Sequence, residues 1–169
     1  MTISAKPRTW LVALLTVLAP LGLTGCVATG AATPREPTFR VVNGATYVPV
    51  PTADDEYAKE AATLRLPPQH SWPPHPMRAS EAGTPDWYQV GYGRQAADRF
   101  WYCSWAAVAV GTADAKVRHD AVQTLQGMLK LYYYTVALDP PSRPQLVTEL
   151  ASAQSGNLAA LDNDLQRNC

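Results

Sequence analysis

Few side chains in this sequence have the types and spacing to do chemistry, and each group of them has a structural competitor. Asp54-Asp55-Glu56 supplies three carboxylates in a row, the donors a hard metal ion takes. Three successive helical positions do not share a face, and no loop glycine accompanies them, so the N-terminal turn of a helix accounts for them better. His70 and His75 offer two imidazoles with no third ligand nearby and read as solvated. Asp162-Asn163-Asp164 lacks the rest of a calcium loop, His119-Asp120 sits at a polar helix start, and no serine lies in a Gly-x-Ser-x-Gly elbow. Gly91-Tyr92-Gly93 followed by Ala96 matches a dinucleotide fingerprint in form. The βαβ unit and the later acidic residue that such a site needs are missing, so two glycines that let the chain turn into a helix explain it better. Cys103 could be a nucleophile, but the flanking aromatics and alanines would bury its thiol and raise its pKa. No nucleophile with a base, poised acid pair or metal set can be assembled. The expectation is therefore a protein that is not an enzyme, with no metal and no cofactor.

The elements around these residues are mostly helical. Arg99 to Val110 concentrates aromatic mass and small residues, with Trp101, Trp105 and Val108 on one helical stripe and Phe100, Cys103, Ala107 and Val110 on the next. The spacing predicts a helix over 95–113. A second starts near Asp114 or Ala115, with Val117, Ala121, Leu125, Met128 or Leu129, Tyr132 and Val136 facing inward, and stops at Asp139-Pro140-Pro141. Ser142 and Gln145 have the form of a capping box for a third helix carrying Leu146, Val147 and Leu150. Ser155-Gly156-Asn157 interrupts it, and a last short helix presents Leu158, Leu161 and Leu165.

Upstream, two β-prone runs flank Asn43-Gly44 and predict a hairpin. A helix over 53–64, capped by Thr52, would place the acidic trio in its first turn. Leu66 to Pro85 reads as a polyproline strap, either laid over the core with Trp72 tucked inward or displayed to an aromatic groove; the strap is the favoured reading. The predicted class is mainly α: a small three- to four-helix domain preceded by a short β-hairpin and a Pro-rich extended strap. Its segments are 38–93 (hairpin, short helix, strap) and 94–169 (helical core). Successive helical residues point about 100° apart, so Tyr132-Tyr133-Tyr134 cannot all face inward. Tyr133 and Tyr134, with Trp72, are candidates for an interaction surface; alternatively the two tyrosines lie flat against the strap or hairpin.

The first 25 residues read as an address. Lys6 and Arg8 precede an apolar run, Trp10 to Ala19, which Pro20 and Gly22 break before it reaches the roughly 20 residues a membrane-spanning helix needs. The run ends at Leu23-Thr24-Gly25-Cys26, which resembles the lipobox of bacterial lipoproteins. That resemblance implies a signal peptide over 1–25, cleavage before Cys26, a diacylglyceryl group on its thiol and acylation of the new amino terminus. Two or three chains would anchor the protein stably where one would not. It also implies a location at the cell membrane, lipid-anchored on the extracytoplasmic face, with 26–37 as a tether.

With Cys26 lipidated, Cys103 and Cys169 are the remaining thiols, and in an oxidising compartment such a pair reads as a disulfide. It would close a loop of about 66 residues, contributing roughly 4 kcal/mol in the chain-entropy model. The order Trp101-x-Cys103-x-Trp105 and the Asn168-Cys169 end are similar to small uncharacterised exported proteins of actinobacteria over residues 57–169. That similarity implies no activity and adds weight to the bridge alone. Arginine outnumbers lysine ten to four, as in proteins of GC-rich genomes. Removing Lys6 and Arg8 from 14 basic residues leaves 12 against 14 acidic ones, which argues against a nucleic-acid partner. The expected function is a non-catalytic binding or interaction module of the cell envelope, its partner an envelope protein. The alternative is a carrier of a small apolar ligand, with Trp101, Trp105, Trp87 and Tyr132 lining its cavity.

Overall fold

A computed structural model describes residues 38–74 and 87–169; the leader, Cys26, the tether and His75 lie outside the described residues. The protein is mainly α, and its small sheet opens on a hairpin. Strands β1 (Arg40–Val42) and β2 (Ala45–Pro49) are joined at Asn43 and Gly44, with φ of 49° and 79°. Positive φ at both central residues is the type I′ turn, whose twist matches that of the strands it joins. A third strand that the sequence reading did not include, β3 (Trp87–Gln89), pairs antiparallel with β2, Val48 opposite Tyr88 and Pro49 opposite Trp87. The hairpin, marginal alone, thereby gains a partner.

Helix α1 (Val50–Ala61) follows β2 without a loop. Its N-cap is Pro49, not the expected Thr52, and its start lies three residues before the predicted 53. Pro51 explains the shift, because a proline in the first turn lacks only an N–H that would have had no helical partner anyway. Asp54, Asp55 and Glu56 therefore fall beyond the first turn, and the expected match to the helix dipole is not made there.

The central helix α2 (Tyr92–Gly111) packs on α1 on one side and on α3 (Ala115–Leu125) on another, while α4 (Arg143–Gln154) and α5 (Ala159–Asn168) complete the core. Asp114 caps α3, its Oδ1 accepting from the Lys116 and Val117 amides at 2.8 and 3.1 Å. Trp101, Tyr102, Ala106, Ala121, Leu125, Met128, Leu150 and Leu161 form the main core, and Val48, Ala53, Tyr57, Ala61 and Ala97 a second. Trp72 is half-buried and packs against both, its ring 5.7 Å from Tyr57 and 5.3 Å from Phe100. The described part of the Pro-rich segment is thus a strap, pinned by this ring.

Three helical expectations are corrected. The second core helix does not continue to Val136: after Leu125 it tightens into a 3₁₀ turn (Gln126–Lys130), Leu131 is extended, and a π turn (Tyr133–Ala137) follows. Val117 and Val136 are consequently exposed (43% and 59%) rather than inward. On α2 the buried stripe runs through Ala97, Trp101, Tyr102, Ala106 and Ala109, leaving Ala107 exposed. The Ser142–Gln145 capping box does not form, since Ser142 belongs to a 3₁₀ turn (Pro140–Ser142) whose cap is Asp139, accepting from the Ser142 amide and hydroxyl at 3.2 and 3.0 Å.

Candidate functional site

The residues singled out for chemistry are dispersed, and most have local partners. His70 is exposed, with Nδ1 3.3 Å from the Pro68 carbonyl. Asp120 pairs with Lys116 at 2.6 Å on the surface of α3. Asp162 and Asp164 lie within α5 and accept from Gln166 and Asn168 side chains one turn on. Among the described residues no group of three or more His, Cys, Asp or Glu could hold a metal ion.

The glycines of the dinucleotide-like stretch have a different employment. Gly91 sits at φ 87°, a conformation that favours glycine, and the Tyr132 ring lies directly over it. The Gly91 and Gly93 amides, free donors at the start of α2, point to the Glu56 carboxylate at 2.9–3.3 Å. A phosphate would need those same amides. One acid of the predicted trio thus serves as a cap supplied by another helix.

The four aromatics proposed to line one apolar cavity also part company. Trp101 and Trp105 donate through Nε1 to the Arg65 carbonyl at 3.0 and 2.9 Å and border an open groove with Leu64, Leu66 and Pro68. Trp87 lies under the Arg40 guanidinium in the sheet, and Tyr132 under that of Arg94, each at 4.4 Å. Tyr133 and Tyr134 are half-buried, with Arg99 and Arg143 over their rings at 6.0 and 5.9 Å.

The disulfide marks where side chains converge. Cys103 and Cys169 are joined with their Cα atoms 5.6 Å apart. Beside them lies a half-open cavity of about 230 Å³, bounded by Arg99 and Tyr102 from α2, Met128 and Tyr133 from the irregular segment, Leu146 and Glu149 from α4, and Asp164 and Asn168 from α5. Glu149 is only 7% exposed, and its Oε1 accepts a short hydrogen bond from the Tyr102 hydroxyl. Burial raises the Glu149 pKa; the Tyr102 hydroxyl opposes that, and the Asp164 charge adds to it. Burial also pushes the Tyr102 hydroxyl up, reinforced by Glu149 and Asp164. Arg99 is held at the rim by the Asn168 carbonyl, 2.5 Å from Nη2.

No family model, curated protein or solved structure matches this chain.

None of Tyr102, Glu149 and Asp98 was singled out as functional from sequence, although a signal existed. Glu149 falls on the apolar stripe of α4 between Leu146 and Leu150, and Asp98 one turn before Tyr102 on α2. A carboxylate at a core position is rarely accidental.

Asp98 shapes the cavity from behind. It is fully buried, and its Oδ2 accepts the Tyr133 amide at 2.7 Å, a donor that an unbroken helix would have directed to Leu129. The π turn that carries Tyr133 begins where this bond forms. Burial lifts the Asp98 pKa to about 6, against the Tyr133 amide, which lowers it. Because the folded pKa is raised from 3.8, the protonated form is favoured by folding. That contribution is complete below pH 3.8 and is lost as pH rises through 6. Asp98→Asn keeps an acceptor for Tyr133 and removes the charge. Its stability relative to wild type is expected to rise by about 1–3 kcal/mol between pH 4 and pH 7.5, on top of a pH-independent cost for the amide that replaces the buried, unpartnered Oδ1. Urea unfolding of both proteins at several pH values checks this, and a constant difference across the range would refute it.

Proposed function

We propose that the chain is a lipid-anchored extracytoplasmic binding module of the cell envelope, without catalysis, whose recognition site is the cavity beside the Cys103–Cys169 disulfide. The observation that carries this reading is that cavity of about 230 Å³, in which Tyr102, Glu149 and Asp164 from three helices meet. Concave sites with a few convergent polar groups on an apolar wall are the usual form of a ligand pocket. The anchor rests on Leu23-Thr24-Gly25-Cys26 after an export leader. Among the described residues no helix is long and apolar enough to cross a membrane.

Native mass spectrometry of the protein extracted gently from its own envelope tests both parts. The expected species begins at Cys26, carries acyl chains, contains one disulfide and retains a small bound mass. An uncleaved chain beginning at Met1, or a mature chain without lipid, would overturn the anchor. A co-purifying protein in place of a small mass would move recognition from the cavity to the surface, where Tyr133 and Tyr134 are the first candidates.

A second reading has one observation in its favour. A buried carboxyl with a raised pKa is what a general acid needs, and Glu149 has it. The cavity lining holds neither histidine nor lysine, and its one serine, Ser142, is tied to Asp139. Recovery of the bound mass unaltered after incubation favours binding; its conversion would favour catalysis.

A further inference from the structure

The carboxylates in the cavity lack a counter-charge. Among the described residues the ion pairs are Arg94–Glu60 and Lys116–Asp120, and neither Glu149 nor Asp164 takes part in one. Glu149 is more than nine-tenths buried; Oε1 accepts from Tyr102, while Oε2 accepts no hydrogen bond from the described residues. Arg99, the one cation lining the cavity, is engaged by the Asn168 carbonyl and the Tyr133 ring instead. Oε2 is not sealed from solvent, and the cavity is where a donor can reach it in place of water.

We infer that the cavity takes a primary ammonium group carried on a short apolar body, an assignment that rests on the binding-module reading above. An ammonium supplies three N–H donors and the missing positive charge in one small group. Two carboxylates fall short of the six or more oxygens that a hard metal ion collects. Elsewhere on the wall Met128, Leu138 and Leu146 suit methylenes, beside the polar Ser142, Gln145 and Asn168. At about 230 Å³ the space admits a body of about five or six carbons.

The test is calorimetric titration of the full lipidated chain in detergent, disulfide intact, with 3-methylbutylamine and with its neutral counterpart 3-methylbutanol at pH 8. The expected result is binding of the amine at least tenfold tighter than the alcohol. Glu149→Gln keeps an acceptor for Tyr102 while removing the charge, and is expected to abolish that preference. If Glu149→Gln does not fold, Asp164→Asn, nearer the surface, is expected to reduce the preference at least threefold. Equal binding of amine and alcohol overturns the ammonium assignment and leaves the cavity as a binding site. If neither binds while the native protein carries another small mass, the ligand class is wrong and the binding reading stands. If neither binds and no mass is found, both fail.

Discussion

Replacing Cys103 and Cys169 together by serine is expected to lower the stability of the folded domain by about 4 kcal/mol and its Tm by roughly 10–20 °C. The two sulfurs close a loop of sequence separation 66, and the gain comes chiefly from restricting the unfolded chain. The urea m value should rise at the same time, because the unfolded chain without the bridge exposes more surface. The local consequence is as specific. Helix α5 has ten residues, too few to persist alone, and is held by Leu161 in the core, by Arg99 on the Asn168 carbonyl and by the disulfide. Hydrogen exchange in the double variant should accelerate first over residues 159–168, taking Asp164 away from the cavity. A stability change under 1 kcal/mol with unchanged protection of α5 would show that packing alone secures this end of the chain.

How much of this could be read beforehand divides along a physical line. The hairpin was legible because Asn-Gly between β-prone runs is a local signal, and the helices because apolar spacing repeats over several turns. The cysteine pairing was legible because excluding Cys26 left two thiols. What was not legible depends on distant partners. Strand β3 exists through β2, on the other side of α1 in sequence, and three residues carry no periodicity of their own. The apolar pattern that pointed to a helix running to Val136 holds through Leu125 and Met128, but the chain tightens after Leu125 and is extended at Leu131, and the buried Asp98 carboxylate then takes the Tyr133 amide, so that the helix is not resumed in register. Glu56 looked like part of an acidic helix start and instead caps another helix by accepting the amide of Gly91, 35 residues later. The cavity belongs to the same class: Tyr102, Glu149 and Asp164 are far apart in sequence, and only their shared inward direction brings them together.

These long-range polar contacts also explain why the fold tolerates irregular backbone next to the cavity. The 3₁₀ and π turns between Gln126 and Ala137 leave amides and carbonyls that a regular helix would satisfy. Asp98 takes one amide, while Arg143 donates to the Leu138 and Thr135 carbonyls at 3.1 and 3.0 Å. Tyr133 is thereby placed on a stretch whose shape is set by side chains rather than by helical repetition. A binding wall built this way is sensitive to the charge of Asp98, which links the expected pH dependence to the site.

The second large effect is expected from one methyl group. Gly93→Ala would place a Cβ 2.0 Å from the Ala53 carbonyl oxygen and 2.8 Å from both the Tyr57 amide nitrogen and the Glu56 Cβ. Two of those three neighbours are backbone atoms of α1, so relief requires the helices to separate, not a rotamer change. The contact is close because small residues face each other there: Ala53 on α1, Gly93 and Ala97 on α2, all fully or nearly fully buried. Overpacking of this kind costs about 1–3 kcal/mol. Moving α1 also draws the Glu56 carboxylate away from the Gly91 and Gly93 amides, adding about 1–3 kcal/mol for donors left unsatisfied. The better helix propensity of alanine returns about 1 kcal/mol, leaving a net loss of roughly 1–5 kcal/mol. Gly111→Ala is the matched control. It lies on the same helix, a Cβ there meets nothing within 4 Å, and its expected effect is a gain of about 0.5–1 kcal/mol. Urea unfolding of the two variants reads the difference directly. Opposite signs are expected, and a Gly93→Ala protein within 1 kcal/mol of wild type would mean that α1 and α2 are not held at this separation.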